Sequence, residues 1–352
     1  MSSQPIRVGI VGAGNNTRVK HIPGLQAIEG VEIVSVCNRS RESSQRVADT
    51  FHIPQVYEDW HELVAADDTN AIVIGTWPYM HCEVTCAALE AGKHVMCEAR
   101  MAMNAVEAHT MLEKSRDHPD LITQIVPSPF TLRVDRTMQE LIADGYLGDL
   151  YAMTVRGIMP GFANPEAPLH WRQRQDLSGF NILTMGIWYE AVMRWVGPAS
   201  RVFARTRIYT PQRRDRDTGA LVTVDVPDHV NIVADLACGA QATYEFSAVC
   251  GLAPGSEIWL FGSQGTLHYD QASDKLLGGQ PGDKALREIP IAPEKAGKWR
   301  VEEEFVGAIR GQEEIRLTTF ADGVKYMEFT EAVHRSAASG QVVSLPLAEV
   351  RS

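Results

Sequence analysis

The sequence predicts an α/β fold in two parts: a doubly wound parallel sheet, then an α+β region built on an open, mainly antiparallel sheet. Three observations carry this. Apolar, β-branched runs alternate with amphipathic segments from Ile6 to Val126. One run, Ala71-Ile72-Val73-Ile74, is wholly apolar, as in strands covered on both faces. After Pro127-Ser128-Pro129 the alternation gives way to strand after strand. The 352 residues allow two domains, placed at 1–126 and 127–352.

The first strand is Ile6–Val11, followed by a glycine turn and a helical segment from Val19 to Ala27. A second strand, Val31–Cys37, ends at Asn38-Arg39-Ser40-Arg41, and a helix runs from Glu42 to Phe51. A short strand is expected over His52–Tyr57, then a helix capped by Asp59. The fourth strand closes on Gly75-Thr76, and Met80–Ala91 is a helix stopped by Gly92. His94–Cys97 is a strand, Asn104 with Glu107 opens a helix to Arg116, and Leu121–Val126 is the sixth strand.

Beyond the proline pair, Arg133–Asp144 and Asn181–Val196 read as helices. Strands are expected at Leu150–Arg156, Arg201–Ile208, Val230–Leu236, Gln241–Ser247, Glu257–Gly262 and Thr266–Tyr269. Gly157–Gly179 and Thr210–Pro227 read as long polar loops, with Arg213-Arg214 beside Asp215 and Asp217 taken as solvated charge. Helices at Val301–Arg310 and Ala321–Ala338 close the chain.

The net charge of −11 argues against nucleic acid, which needs clustered positive charge. No apolar run reaches membrane-span length. The N-terminal residues lack a charged n-region followed by an apolar stretch, so a cytoplasmic protein is expected. The six cysteines do not form a dense disulfide pattern and are expected as buried free thiols. Cys82 and Cys86, one helical turn apart beside His81, lack the further cluster that a four-ligand metal site needs, so no metal is expected.

Val8-Gly9-Ile10-Val11-Gly12-Ala13-Gly14-Asn15-Asn16-Thr17 is a strand, tight turn and helix start. Gly12 permits the turn, and Gly14 removes a side chain so that a pyrophosphate can approach free N–H groups at the helix N-terminus. Thr17 stands where G-x-G-x-x-G has its third glycine. The stretch reads as a dinucleotide site contacted by Gly12, Gly14, Asn15, Asn16 and Thr17, with Asn15-Asn16 otherwise a simple turn former. At the end of the second strand an acidic residue would hold a ribose 2′-OH. Here neutral Asn38 is followed by Arg39 and Ser40, which favours NADP over NAD, unless Arg39 is merely solvated.

With these elements placed, the chain resembles the glucose-fructose oxidoreductase / inositol dehydrogenase (Gfo/Idh/MocA) family over nearly its whole length. The resemblance rests on the glycine turn, His21-Ile22-Pro23-Gly24-Leu25 and Thr76-Trp77-Pro78-Tyr79-Met80-His81. It also rests on Ala91-Gly92-Lys93-His94-Val95-Met96-Cys97-Glu98, Trp171-Arg172 and the stretch from Ala332 to Pro346. It implies a Rossmann domain with a nicotinamide cofactor, a second domain whose sheet face often makes dimers, and a sugar or cyclitol substrate. By resemblance Thr76, Trp77, His81 and Glu98 join the cofactor residues. A homodimer or homotetramer with a carbohydrate-like ligand is expected.

Two motifs depart from the family. Where it usually continues Glu-Lys-Pro, this chain has Glu98-Ala99-Arg100. The positions of the family's aspartate and, one turn later, histidine hold Thr184 and Trp188, and a final acidic residue either becomes Glu190 or is lost. Alanine cannot carry a proton. Candidate catalytic replacements are Tyr189, Arg100 and His170, with Trp171, Arg172, Thr184 and Trp188 as substrate contacts. Tyr189 could alternatively pack in an apolar helix stripe with Met185, Val192 and Val196. Three functional readings stand: an atypical NAD(P)-dependent enzyme, either an oxidoreductase or a lyase or hydrolase that uses hydride transfer transiently; a non-catalytic cofactor- and sugar-binding sensor; and a subunit whose chemistry a partner chain supplies.

Overall fold

The computed structural model of the chain describes residues 5–253 and 255–348. They group into two compact units, Met1–Pro127 with Arg300–Val324, and Ser128–Trp299 with Lys325–Ser352.

The first unit holds a parallel sheet of β1 (Ile6–Val11), β2 (Val31–Cys37), β3 (Gln55–Val56), β4 (Ala71–Ile74), β5 (His94–Cys97) and β6 (Thr123–Ile125). Their spatial order is β3-β2-β1-β4-β5-β6, with the chain returning between β3 and β4 from the β3 edge to the centre of the sheet, on the far side of β1. Ligands of such sheets bind outside the carboxyl ends of the strands at that reversal. One π-helical turn, Thr17–His21, leads into α1 (Ile22–Gln26). Then come α2 (Arg41–Phe51), α3 (Trp60–Ala65), α4 (His81–Glu90) and α5 (Ala105–Asp117). Ser40, Asp59 and Asn104 cap α2, α3 and α5, each side chain accepting a first-turn N–H. The expected third strand shrinks to two residues, because His52 takes a left-handed conformation that ends α2 and Pro54 follows it.

The second unit opens with α6 (Leu132–Ala143) and β7 (Leu150–Ile158), followed by α7 (Gln175–Ser178), α8 (Met185–Val196) and β8 (Ala199–Arg207). A two-stranded hairpin, β9 (Gln212–Arg214) and β10 (Leu221–Thr223), stands apart. Then come β11 (His229–Leu236), β12 (Gln241–Ser247), β13 (Ser256–Gly262), β14 (Thr266–Asp270), β15 (Lys275–Gly279) and β16 (Arg287–Glu288). Among the described residues nine strands form one sheet in the order β16-β15-β14-β13-β7-β12-β11-β8-β17, with β17 at Val343–Ser344. All pairs are antiparallel except β7 with β12. One face buries Val155, Ala204, Ile232, Tyr244, Ile258 and Tyr269. The sequence reading missed the hairpin and β15 to β17, which are short or polar; it also began α8 four residues early, where Leu183 has φ of 46°.

A single boundary at residue 126 does not describe the first unit. α9 (Val301–Ile309) packs with α1, and Ile125 exchanges two backbone hydrogen bonds with Thr318. α10 (Phe320–Ser339) gives its first residues to the first unit and the rest to the second. No described helix is long and apolar enough to cross a membrane. All six cysteines are free, but only Cys37 and Cys97 are buried, so the expectation that all are buried is corrected.

Candidate functional site

The glycine turn sits where β1 meets β4. Gly12 has φ of +83°, and a Cβ there would lie 2.5 Å from the Thr76 side chain. A Cβ on Gly14 would come within 3.0 Å of the Gly75 carbonyl. Gly75 is the glycine that sequence reading overlooked: a Cβ there would meet the Gly12 carbonyl at 2.2 Å. The three glycines let two strand ends approach with no side chain between them.

Beside the turn opens a cavity of about 640 Å³, ample for a dinucleotide's adenosine and pyrophosphate. Gly12, Ala13, Gly14, Asn38, Arg39, Thr76 and Trp77 line it. So do residues that sequence reasoning missed, among them Ser43, Glu58, Asp59, Trp60, Tyr79 and Met80. Their signal was topological: β3 and β4 end beside β1 and β2, so the segments that leave those strands must face the same crevice. The Thr76 hydroxyl is buried without a hydrogen-bond partner among the described residues. The cradle and this orphaned hydroxyl fit a dinucleotide.

Asn38 does more than terminate β2. Its Oδ1 accepts the Ala13 N–H at 2.6 Å and so holds the turn to the adjacent strand. Arg39 is exposed on the rim, and the Ser40 hydroxyl accepts the Ser43 N–H at 3.3 Å as the cap of α2. Asn15 is exposed. Asn16 donates from Nδ2 to Glu98 Oε1 at 2.5 Å. Thr17 is fully buried, with Oγ1 3.5 Å from the Gly12 carbonyl; its predicted pyrophosphate contact is corrected, because its hydroxyl packs under the turn against Gly75.

Glu98 and His21 form the base of this loop. His21 Nε2 lies 3.0 Å from Glu98 Oε1 and Nδ1 lies 2.5 Å from Glu302 Oε1. Burial lowers the His21 pKa, but the hydrogen bonds from Glu302 and Glu98 outweigh it and raise the pKa to about 9. The imidazolium in turn holds Glu98 below the ordinary carboxylate range, against the opposing effect of burial. Glu98 therefore serves by orienting Asn16 and by accepting the Ala99 N–H at 3.1 Å.

His81 is fully buried between two carbonyls, Nδ1 at 2.9 Å from Arg100 O and Nε2 at 3.1 Å from Thr76 O. Burial lowers its pKa even though both carbonyls favour the charged ring. It ties the segment after β4 to that after β5, a structural part rather than a cofactor contact. Arg100, a candidate catalytic replacement in the sequence, is 2% exposed and so is not open to a ligand.

In the second unit the altered motif is packed shut. Trp188 is 1% exposed and stacks on Phe130 with centroids 4.6 Å apart, so its reading as a substrate platform is corrected. Tyr189 is equally buried, stacks on Phe329 at 3.7 Å and accepts the Ala199 N–H at 2.8 Å. Burial pushes its phenol pKa up, the wrong direction for a base. The catalytic assignment of Tyr189 is thus replaced by the packing one. Glu190 accepts the Ser128 N–H and pairs with Arg194, which also pairs with Asp135. Thr184 lies just before α8, its hydroxyl buried without a hydrogen-bond partner among the described residues.

The remaining candidates share one loop. His170 Nδ1 accepts the Arg172 N–H at 3.2 Å, capping a short helical turn at Trp171–Gln173. Burial, with Arg172 and Arg216 nearby, lowers its pKa to about 4, so the ring is neutral at neutral pH. Trp171 is half-buried, and the Arg172 guanidinium lies 4.2 Å above its ring. Among the described residues no group of three or more His, Cys, Asp or Glu could hold a metal ion.

Residues 6–124 match the family described as "Oxidoreductase family, NAD-binding Rossmann fold", and residues 136–268 match "GFO/IDH/MocA C-terminal domain". A dTDP-3,4-didehydro-2,6-dideoxy-alpha-D-glucose 3-reductase of Streptomyces antibioticus is 26% identical over 95% of this chain and 97% of its own. The D-glucoside 3-dehydrogenase of Escherichia coli is 30% identical over 47% of this chain and 49% of its own. A levoglucosan dehydrogenase, solved with NADH and L-sorbose, superposes with TM-score 0.86 at 22% identity, covering 97% of this chain and 99% of its own.

Proposed function

The chain belongs to the Gfo/Idh/MocA oxidoreductase family, and from that premise we propose that it binds NAD(P) in the cleft around Gly12 and Gly14 and transfers hydride to or from a sugar, cyclitol or glycoside. The observation that carries the reading is the side-chain-free cradle of Gly12, Gly14 and Gly75 at the reversal of strand order. The bound nicotinamide would supply the hydride acceptor or donor. Gly12 to Asn16, Asn38, Arg39, Thr76 and Trp77 would hold the dinucleotide, with Glu98 and His21 fixing Asn16. The sugar assignment draws on the relatives, two of which are named for glucose derivatives.

NADP is favoured over NAD in this proposal. Asn38 carries no charge to repel a 2′-phosphate, and its Oδ1 is engaged by Ala13, which leaves its amide N–H groups as donors. Arg39 supplies the cation on the cavity rim. The test is cofactor titration: Arg39→Ala should weaken NADP by tenfold or more and NAD little. Equal loss for both sinks the NADP preference.

Proton transfer must follow a different route from the family's lysine and histidine. His170, neutral and in the loop with Trp171 and Arg172, is the remaining proton acceptor among the three catalytic candidates. A second reading, a sensor that binds cofactor and sugar without turnover, is favoured by Ala99, Thr184 and Trp188 together, since none of these side chains titrates. Incubating the protein and NAD(P) with sugars separates the two. Growth of the reduced-nicotinamide absorbance means an enzyme, and ligand-dependent melting shifts with no redox change mean a sensor.

A further inference from the structure

Arg213 looked like solvated charge and is instead 1% exposed. On β9 it points inward while its neighbours Gln212 and Arg214 are exposed. Its guanidinium donates from Nη2 to Phe162 O at 2.6 Å, and from Nη1 to Asn164 O at 2.7 Å and Ala167 O at 3.0 Å. All three acceptors are backbone carbonyls of one loop.

The hairpin and the segment that leaves it hold the same stretch of chain. Leu169 N–H donates to Arg214 O at 2.8 Å, and Asp225 N–H to Gln173 O at 3.2 Å. Gln175 N–H donates to Asp225 Oδ1 at 2.6 Å. A run of rings continues from the clamp to half-buried Trp171. Phe162 lies 5.8 Å from the Arg213 guanidinium, His170 lies 5.7 Å from Phe162, and Trp171 lies 5.6 Å from His170.

Burying a guanidinium is expensive, and here three carbonyls engage Nη1 and Nη2 while Nε is buried without a hydrogen-bond partner among the described residues. Three loop carbonyls could have been hydrated at the surface at little cost. Holding them on a rigid fork instead fixes where the loop's side chains point. A lysine, with one nitrogen, cannot span carbonyls gathered by two.

We infer that Arg213 is a positioning residue, and that the β9–β10 hairpin sets the loop that presents His170, Trp171 and Arg172 to a carbohydrate ring. The part concerning carbohydrate rests on the function proposed above; the clamp itself does not.

The test uses the full chain and the variants Arg213→Met, Arg213→Lys and Arg214→Ala. Hydrogen exchange comes first. Arg213→Met should speed amide exchange across residues 161–174 at least tenfold, leaving β7, β11 and β12 unchanged. Arg213→Lys should recover part of the protection, and Arg214→Ala, whose exposed side chain donates to Gly219 O within its own hairpin, should match wild type. Unchanged exchange in the loop overturns the inference, as does an equal rise throughout the sheet, which would mark plain destabilisation.

Kinetics on the carbohydrate that reduces the dinucleotide come second. Arg213→Met should raise the sugar KM tenfold or more with a smaller change in kcat and none in the dinucleotide KM, and Arg213→Lys should rescue it in part. A loosened loop with an unchanged sugar KM overturns the positioning role. If no carbohydrate reduces the dinucleotide, the proposed hydride transfer fails by itself, and the exchange result alone decides the clamp.

Discussion

His21 and Glu302, 281 positions apart, face each other at 2.5 Å in the interior of the first unit. The contact brings α9 back beneath the glycine turn, and Glu98 holds the other ring nitrogen. Because the folded chain raises the His21 pKa from 6.5 to about 9, its contribution to stability is complete below pH 6.5 and disappears as pH rises through about 9. The shift corresponds to a contribution on the order of 3 kcal/mol. Denaturant unfolding should therefore show stability falling across that window. In His21→Gln the fall should be much smaller, from a starting stability about 3–5 kcal/mol lower, because two carboxylates lose the charge between them. A wild-type profile that is flat across the window contradicts the assignment.

Tyr189 provides a sharper contrast with the sequence reading. Tyr189→Phe keeps the stack on Phe329 and loses only the acceptor for the Ala199 N–H. It should cost about 1–3 kcal/mol of stability, the range for a buried donor left unsatisfied. Turnover and cofactor affinity should match wild type. A tenfold drop in kcat with normal folding would restore Tyr189 as a catalytic group.

Ala99 and Trp188 lead to a prediction about rate. Without the lysine and histidine of the usual route, oxidation of glucose or inositol should fall short of a typical family enzyme by roughly 10² to 10⁴. Ala99→Lys should not restore it, since groups that act as a unit are not additive. Steady-state assays on the two sugars decide this, and fast wild-type oxidation of either one would show that another base fully replaces the pair.

Across the second sheet a register-aligned row of side chains faces away from the buried side: Phe203, Val233, Thr243, Thr154, Trp259 and His268. Phe203 is 38% and Val233 50% exposed, and Phe261 lies two residues along from Trp259 at 39%. Such a face favours pairing with a second copy. Light scattering at micromolar protein should give a dimer or larger, and Val233→Glu should shift it towards monomer with little change in melting temperature. A wild-type monomer would contradict this.

The parallel sheet was legible because buried parallel strands are written as unbroken apolar runs, as in Ala71–Ile74, and because Ser40, Asp59 and Asn104 mark helix starts chemically. The glycine turn was legible for a similar reason: it is local. The features that escaped are long-range. Nothing near His21 announces Glu302, and nothing near Arg213 announces the carbonyls of residues 162–167. Tyr189 and Trp188 could be placed on one helix by spacing, but spacing does not tell which face the sheet covers. β16 and β17, with two residues each, carry too little pattern to stand out.

The most direct test of the central claim is titration of NADP and NAD into wild type and Gly14→Val, followed by addition of a sugar and cyclitol panel while the reduced-nicotinamide absorbance is read. A Cβ on Gly14 would already be tight, at 3.0 Å from the Gly75 carbonyl, and a valine would add bulk where a pyrophosphate must approach, so wild type should bind a dinucleotide and Gly14→Val should not. At least one carbohydrate should then reduce the cofactor on wild type alone. Equal binding by both proteins, with no carbohydrate changing the absorbance, would contradict the account.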